Sequence, residues 1–542
     1  MTDQPIDTAD LDAIVIGAGM SGLYMLHRLR DTLGMRALVL ERAEDVGGTW
    51  YWNRYPGARC DSESYFYSFS DRLSEDLLQE WTWSERFAAQ PEILRYLQHV
   101  ADRFDLRRDI RFGTTVTSAA WDEDGTRWLV DTDDGRRLSA RYLITAVGCL
   151  STTNLPEFPG RDTFAGDSFH TGAWPHEGVD FTGRRVVVIG TGATAVQAVP
   201  EIAAEAEHVH VLQRTPNYDI AGGNRPMTEH DAREIKENYT DIWARTRETG
   251  FGFPYDAPDR TALSVDDEER RQIFEEAWQR GGFRLGTTFN DLLLDEAAND
   301  TAAEFLREKV RERVQDPAVA ELLSPSDHPF FTKRPPLENG YYETFNRENV
   351  TLVDLRQAPI EEIVPSGVRT AAEQYDADTI VYATGFDAMT GTLFKLGITG
   401  SDDVPLAERW ADGPRTYLGV AAAGFPNLFM ITGPQSPSVL SNMPVSIEQH
   451  VDWITDLLRH LRDNGQHRIE ASEEAEQEWI AHHDEVSGAT LLPRANSWWV
   501  GANIPGKPRR LYPYVGGVGV YRGICDDVAQ KDYEGFVTSA PA

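Results

Sequence analysis

The chain has 542 residues, 41% of them hydrophobic and 14 of them tryptophan, so it is too long for one core and has material for two to four domains. Its formal net charge of −35 argues against nucleic acid as a partner, because phosphates need a basic footprint, and no apolar run reaches the roughly 20 residues that span a bilayer. Three scattered cysteines, Cys60, Cys149 and Cys525, offer no disulfide framework, no metal-ligand spacing and no CxxC pair for dithiol reduction, so no metal is expected. Met1 to Asp10 is polar and acidic, without a basic or an apolar region of signal-peptide type, and the expected location is cytoplasmic.

The first predicted element is the strand Ile14-Val15-Ile16, which runs into Gly17-Ala18-Gly19-Met20-Ser21-Gly22 and then a helix. Gly17 permits the tight turn, Gly19 lets a pyrophosphate approach the backbone, and Gly22 lets the helix pack on the strand. The helix N-terminus, with its free N–H groups, then favours the anion. The next strand, Ala37 to Leu40, ends on Glu41, whose carboxylate suits a ribose diol. A Gly/aromatic stretch from Gly47 to Tyr67 follows, then a polar helix from Gln90-Pro91, strand runs at 111–121 and 127–131, and a buried strand from Tyr142 closing on Gly148.

Residues 151–183 read as a Pro/Gly-rich connector. A second nucleotide unit starts at Arg184, with the strand Val186 to Ile189 and the turn Gly190-Thr191-Gly192-Ala193-Thr194-Ala195. Ala195 stands where a third glycine would be. The following strand, His208 to Gln213, ends at Arg214. Arg214 lies 24 positions after Gly190, as Glu41 lies 24 after Gly17. A guanidinium at that place pairs with a 2′-phosphate, so the second unit is read as NADP-type and the first as FAD-type.

Residues 225–325 are charged, with helical periodicity, and read as a helical insertion. Strands resume near Val350, and a third glycine-ended strand, Ile380 to Gly385, is expected to return the chain to the first fold. The tail carries a predicted helix at 446–464 and an aromatic-rich loop at 493–514. The fold class is therefore α/β, with two Rossmann-like dinucleotide-binding domains and a helical insertion. The expected order is 1–150 (FAD, first part), 151–224 (NADP, first part), 225–325 (insertion), 326–379 (NADP, return) and 380–542 (FAD return and substrate-loop tail).

The connector contains Phe164, Gly166, His170, Trp174 and Pro175 in the pattern FxGxxxHxxxWP, and Gly47 to Asp61 forms a longer stretch with Thr49, Trp50, Arg59 and Cys60. Together these resemble the type I Baeyer–Villiger monooxygenases, a group of class B flavoprotein monooxygenases, and most closely their phenylacetone and steroid monooxygenase branch. Heteroatom-oxidising relatives usually carry Tyr or Phe where Trp174 stands. The resemblance covers essentially the whole chain. It implies NADPH- and O₂-dependent oxidation of ketones to esters or lactones through a C4a-peroxyflavin, with FAD and NADPH as cofactors.

By that resemblance Arg334, in Thr332-Lys333-Arg334, is the catalytic cation and Asp61 its partner. A guanidinium is the suitable permanent cation, and Pro335 biases Arg334 towards extended backbone. The implied FAD set comprises Gly17, Gly19, Ser21, Gly22, Glu41, Thr49, Trp50, Arg59, Asp61, Tyr67, Val116 and Met443. The implied NADP set comprises Gly190, Thr191, Gly192, Ala193, Thr194, Gln197, Arg214, Thr215 and Lys333. Ser438, Leu440 and Trp498 are the expected substrate wall, while Gly166, His170 and Trp174 form an interdomain motif in which His170 couples domains and moves no proton. Pro335-Pro336, Gln435 and Pro444 depart from the nearest relatives close to the presumed pocket, which leaves the ketone unnamed. The rival readings are a heteroatom (S- or N-) monooxygenase and, more remotely, a non-catalytic redox sensor. The expected partners are a small ketone and O₂, with no nucleic acid and no membrane, in a monomer or weak homo-oligomer.

Overall fold

The strand Leu11–Ile16 is apolar apart from Asp12 because both its faces are covered, which is the pattern of a central parallel strand. In the computed structural model, which describes residues 11–256 and 258–540, it pairs in parallel with Ala37–Leu40 on one side and Arg137–Thr145 on the other. Ile110–Arg111 extends that sheet beyond Ala37–Leu40. The strand Arg137–Thr145 is shared along its length. Its first half pairs with an antiparallel meander, Val116–Asp122 and Arg127–Thr132, and its last residues pair in parallel with Leu428–Met430. The tail therefore completes the first sheet.

The second sheet is entirely parallel, in the order Val350–Asp354, His208–Gln213, Arg185–Ile189, Thr379–Tyr382, Asp167–His170. Two expectations change here. The glycine-ended strand at 380 belongs to this second sheet, since Thr379–Tyr382 pairs with Arg185–Ile189, and the chain rejoins the first sheet only at Ile398–Thr399. The connector is also not wholly irregular, because Asp167–His170 forms the sheet's edge strand and so places His170 at its end.

The insertion holds the helices Glu229–Glu237, Tyr239–Glu248, Asp267–Arg280, Glu296–Arg313 and Pro317–Leu323. Three of them begin with an aspartate cap: Asp266, Asp295 and Asp316 accept backbone N–H groups of the first turn. Their aromatic faces, among them Trp243, Phe274 and Phe305, bury against Phe66 and Phe87 of the first nucleotide unit and Val445 and Val518 of the tail. The predicted tail helix spans Met443–Asp463, with Pro444 in its first turn, where a missing N–H costs nothing, and it packs on the helix Met20–His27.

Candidate active site

Each nucleotide unit presents a bare helix end. Gly17 has φ of +103°, and a Cβ there would lie 2.6 Å from the carbonyl oxygen of Ala146, so only glycine makes this turn. The helix Met20–His27 starts at Gly19 and the helix Ala193–Glu205 at Gly192. Neither has a side-chain cap or an acidic residue in its first turn, whereas Thr228, Asp266, Asp295 and Asp316 cap four helices of the insertion. Gly19 faces Gly48, and a Cβ on Gly48 would come within 2.8 Å of the Gly19 Cα. This narrow cradle beside an uncapped helix end fits the pyrophosphate of a dinucleotide. Glu41 is buried, with its two carboxylate oxygens accepting the Ala18 and Ala43 N–H groups at 2.6 and 2.8 Å, and its remaining lone pairs are left for a ribose. Ser21 is buried in the first turn of the helix, and Val116 packs in the core with Ile14 and Leu38. Trp50 donates its indole N–H to the Tyr67 hydroxyl at 3.3 Å, while Thr49 is exposed at the edge of the cradle.

In the second unit Ala195 is fully buried, so the helix accepts a methyl where Gly22 of the first unit has no room for one. Thr191 donates to the Thr215 carbonyl at 2.9 Å, and Thr194 accepts from Thr171 of the connector at 3.2 Å. Among the described residues no carboxylate forms an ion pair with Arg214 or with Lys333. Burial lowers the Lys333 pKa, Asp327 opposes that, and the charge of Arg214 adds to the lowering. Two neighbouring cations without a direct ion pair can accept an anion of the size and charge of a phosphate. Gln197 lies between the units, its amide accepting from the Tyr55 hydroxyl at 2.8 Å and donating to the Arg59 carbonyl at 3.2 Å.

Arg334 is held by three groups. Its Nε and Nη2 donate to the two oxygens of Asp61 at 2.5 and 2.9 Å, Nη1 donates to the Val439 carbonyl at 2.9 Å, and the guanidinium lies 4.7 Å from the centre of the Phe283 ring. Burial alone would lower its pKa, but the Asp61 carboxylate outweighs burial and holds it above the usual arginine value. Arg334 is thus a cation that surrenders no proton. The preceding residue but two, Phe331, has φ of +64°, a strained value for a bulky residue, and it directs the chain into Thr332-Lys333-Arg334. Beside the guanidinium is a small, partly open cavity of about 10 Å³, lined by Phe251, Phe253, Phe283, Phe331, Leu440 and Trp499.

A family model for pyridine nucleotide-disulphide oxidoreductases matches residues 14–247. The three cysteines are buried and unpaired, so the match reflects the nucleotide fold. A Baeyer–Villiger monooxygenase of Pseudooceanicola batsensis is 43% identical over 538 residues, covering 98% of this chain and 97% of that protein. The chain belongs to the Baeyer–Villiger monooxygenase family. A phenazine N-monooxygenase of Lysobacter antibioticus is 42% identical, over 98% of this chain and 97% of its own. The solved structure of an oxidized steroid monooxygenase bound to NADP is 51% identical, with a TM-score of 0.93, covering 98% of this chain and 100% of that one. FAD and NADP are the cofactors of the family.

Within this family site several expected residues take other places. Leu440 lines the cavity, but the Ser438 hydroxyl turns inward to Cys149 at 2.9 Å and the Thr432 carbonyl at 3.3 Å. Trp499, not Trp498, is the tryptophan on the cavity, with Trp498 packed against it at 5.7 Å. Gln435 is not on the cavity either: its amide oxygen accepts from the Thr416 backbone and hydroxyl, at 3.0 and 2.7 Å. Met443 bridges two cores at the start of its helix. In the fingerprint, Trp174 is buried between Phe169 and Phe181, and a Cβ on Gly166 would collide with the Asp378 carbonyl. His170 accepts the Gly172 N–H at Nδ1 (3.0 Å) and its Nε2 contacts the Thr384 hydroxyl at 3.3 Å, which in turn donates to the Asn154 carbonyl. Burial lowers its pKa, and both nitrogens are engaged within the second unit, one by its own connector and one beyond the end of the strand Thr379–Tyr382. The residues that sequence reasoning missed are the four phenylalanines and the Val439 carbonyl, brought together only by tertiary packing. The Phe251-Gly252-Phe253 pattern inside an otherwise charged insertion was the one available hint.

Proposed function

We propose that this protein oxidises a bulky or open-chain ketone to an ester or lactone, using NADPH and O₂, and that Arg334 and Asp61 are its catalytic pair. The observation that carries the proposal is a permanently charged guanidinium fixed at the wall of an apolar cavity. Bound FAD, reduced by NADPH, supplies the activated oxygen. Arg334 supports the negative charge that builds on oxygen as the carbonyl carbon becomes tetrahedral, an electrostatic role worth about 3 kcal/mol. Asp61 holds both guanidinium nitrogens in one plane, and the phenylalanines keep water from the reacting carbonyl. Arg214, Lys333 and Thr215 take the NADP 2′-phosphate, while Gln197 transmits the relative placement of the two nucleotide units.

The 51% identity to the steroid monooxygenase supports a large substrate. The phenazine N-monooxygenase relative favours a second reading, oxygenation of nitrogen or sulfur at the same site. A fixed cation serves a nucleophilic oxygen better than an electrophilic one, which supports the ketone. Three buried, unpaired thiols suit a reducing cytoplasm, and a monomer or weak homo-oligomer completes the proposal. Among the described residues no helix is long and apolar enough to cross a membrane. The test is ketone-stimulated NADPH oxidation by the FAD-loaded protein, with product mass spectrometry across cyclic, aryl and linear ketones, an amine and a sulfide. A product heavier than the ketone by one oxygen supports the proposal; N- or S-oxides alone would overturn it.

A further inference from the structure

Glu63 lies two residues after Asp61 and is fully buried, yet it carries a charge the reaction does not use. Its carboxylate accepts Nη2 of Arg86 at 2.9 Å, Nη1 of Arg284 at 2.6 Å and the Tyr255 hydroxyl at 2.6 Å. Burial alone would raise its pKa, but Arg284 and Arg86 outweigh burial and hold it below the usual carboxylate range. A buried carboxylate with two arginines and a phenol is fully satisfied, and it is costly to break.

The partners come from three separate parts of the chain. Arg86 belongs to the segment that anchors the Asp61 loop, where Ser64 N–H donates to the Arg86 carbonyl at 2.7 Å and Cys60 N–H to the Ala88 carbonyl at 3.0 Å. Arg284 and Tyr255 belong to the insertion. Arg284 follows Phe283 directly in the turn Gly282–Thr287, and its guanidinium sits 4.2 Å from the centre of the Tyr255 ring. Phe253 stacks on both Tyr255 and Phe283, at 5.3 and 5.4 Å. Asp61 and Phe283 are two of the groups that hold Arg334, and they stand on the two parts that Glu63 joins.

We infer that Glu63 is a positioning residue for Arg334: one buried carboxylate fixes both the loop that carries Asp61 and the turn that carries Phe283. Its consequence for oxygenation rests on the function proposed above; its consequence for local order does not. Loss of the clamp lets the guanidinium drift from the cavity wall, so NADPH is consumed without ketone being oxygenated.

The experiment compares wild type, Glu63→Gln and Tyr255→Phe as FAD-loaded proteins. It reads three quantities: hydrogen exchange of peptides covering 281–287 and 331–336, product formed per NADPH consumed, and the rate of FAD reduction by NADPH. Glu63→Gln is expected to raise exchange at least threefold in both peptides, leave 186–189 unchanged, lower product per NADPH at least fivefold, and keep FAD reduction within twofold. Tyr255→Phe retains both ion pairs and is expected to show the same pattern at about half the size. If Glu63→Gln does not fold, Tyr255→Phe decides. Wild-type exchange in both peptides, exchange raised equally at 186–189, or unchanged product per NADPH in a folded variant would each overturn the inference. A wild type without any ketone product would refute the proposed function alone, because the exchange data would still test the clamp.

Discussion

Replacing Arg334 by alanine separates the two halves of the reaction. The change removes two hydrogen bonds to Asp61, one to the Val439 carbonyl and the contact with Phe283. Arg334 and Asp61 are 21% and 29% exposed, so water partly compensates the orphaned carboxylate, and the stability loss should be about 1–2 kcal/mol. The kinetic loss is larger. A preorganised charge at a developing oxyanion is worth about 3–4 kcal/mol, which is 10²- to 10³-fold in turnover. Hydride transfer from NADPH to FAD needs no such cation at the cavity wall. Anaerobic stopped-flow should therefore find FAD reduction near the wild-type rate, while gas chromatography finds ester formation below about one part in a hundred. Arg334→Lys should recover stability but little oxygenation, since an ammonium cannot span both Asp61 oxygens and Val439. Ester formation above about a tenth of wild type in Arg334→Ala would refute the role assigned to this cation.

Arg214→Ala should raise the NADPH KM about 10- to 100-fold and narrow the preference over NADH, as loss of a charged phosphate contact costs about 1.5–3 kcal/mol; an unchanged ratio in steady-state assays would move the discrimination to Lys333. Among cyclohexanone, phenylacetone, a long 2-alkanone and a 20-ketosteroid, kcat/KM should favour the larger ketones in a graded series, because apolar pockets discriminate by only about 1–3 kcal/mol per methylene. Cyclohexanone as the best of the four would contradict that. Glu448 is buried against Ser70, with Asp452 and Arg247 nearby, and burial raises its pKa to about 7. A carboxyl raised in the folded state stabilises below its unfolded pKa and loses that contribution as pH climbs to about 7. Urea unfolding should thus show wild type losing about 2.5 kcal/mol relative to Glu448→Gln between pH 5 and pH 8. Parallel profiles would show that Glu448 does not titrate in that window.

What was legible in the chain follows from the range of the forces involved. The two glycine turns could be read locally, because close backbone approach admits only small residues at Gly17 and Gly22 whatever surrounds them. Arg334 and Asp61 were legible only through resemblance, as 273 positions separate them and nothing in either segment names the other. The strand Thr379–Tyr382 was expected in the first sheet because glycine-ended apolar strands look alike; its true neighbour, Arg185–Ile189, is fixed by pairing. Trp498 and Trp499 are adjacent, and only the turn Trp498–Val500 decides which ring reaches the cavity. Ser438 reads as a polar wall residue until its backbone, with φ of +40°, turns the hydroxyl towards Cys149. Glu63 was invisible for the same reason as the phenylalanines: its partners at 86, 255 and 284 meet only in the folded chain.

The most direct test of the central claim is incubation of the FAD-loaded protein with NADPH, a bulky ketone and ¹⁸O₂, followed by mass spectrometry of the product. The account predicts an ester or lactone carrying one ¹⁸O, formed in proportion to NADPH consumed by the wild type and lost in Arg334→Ala. Consumption of NADPH with the ketone recovered unchanged, or an ¹⁸O found only in hydrogen peroxide, would contradict it.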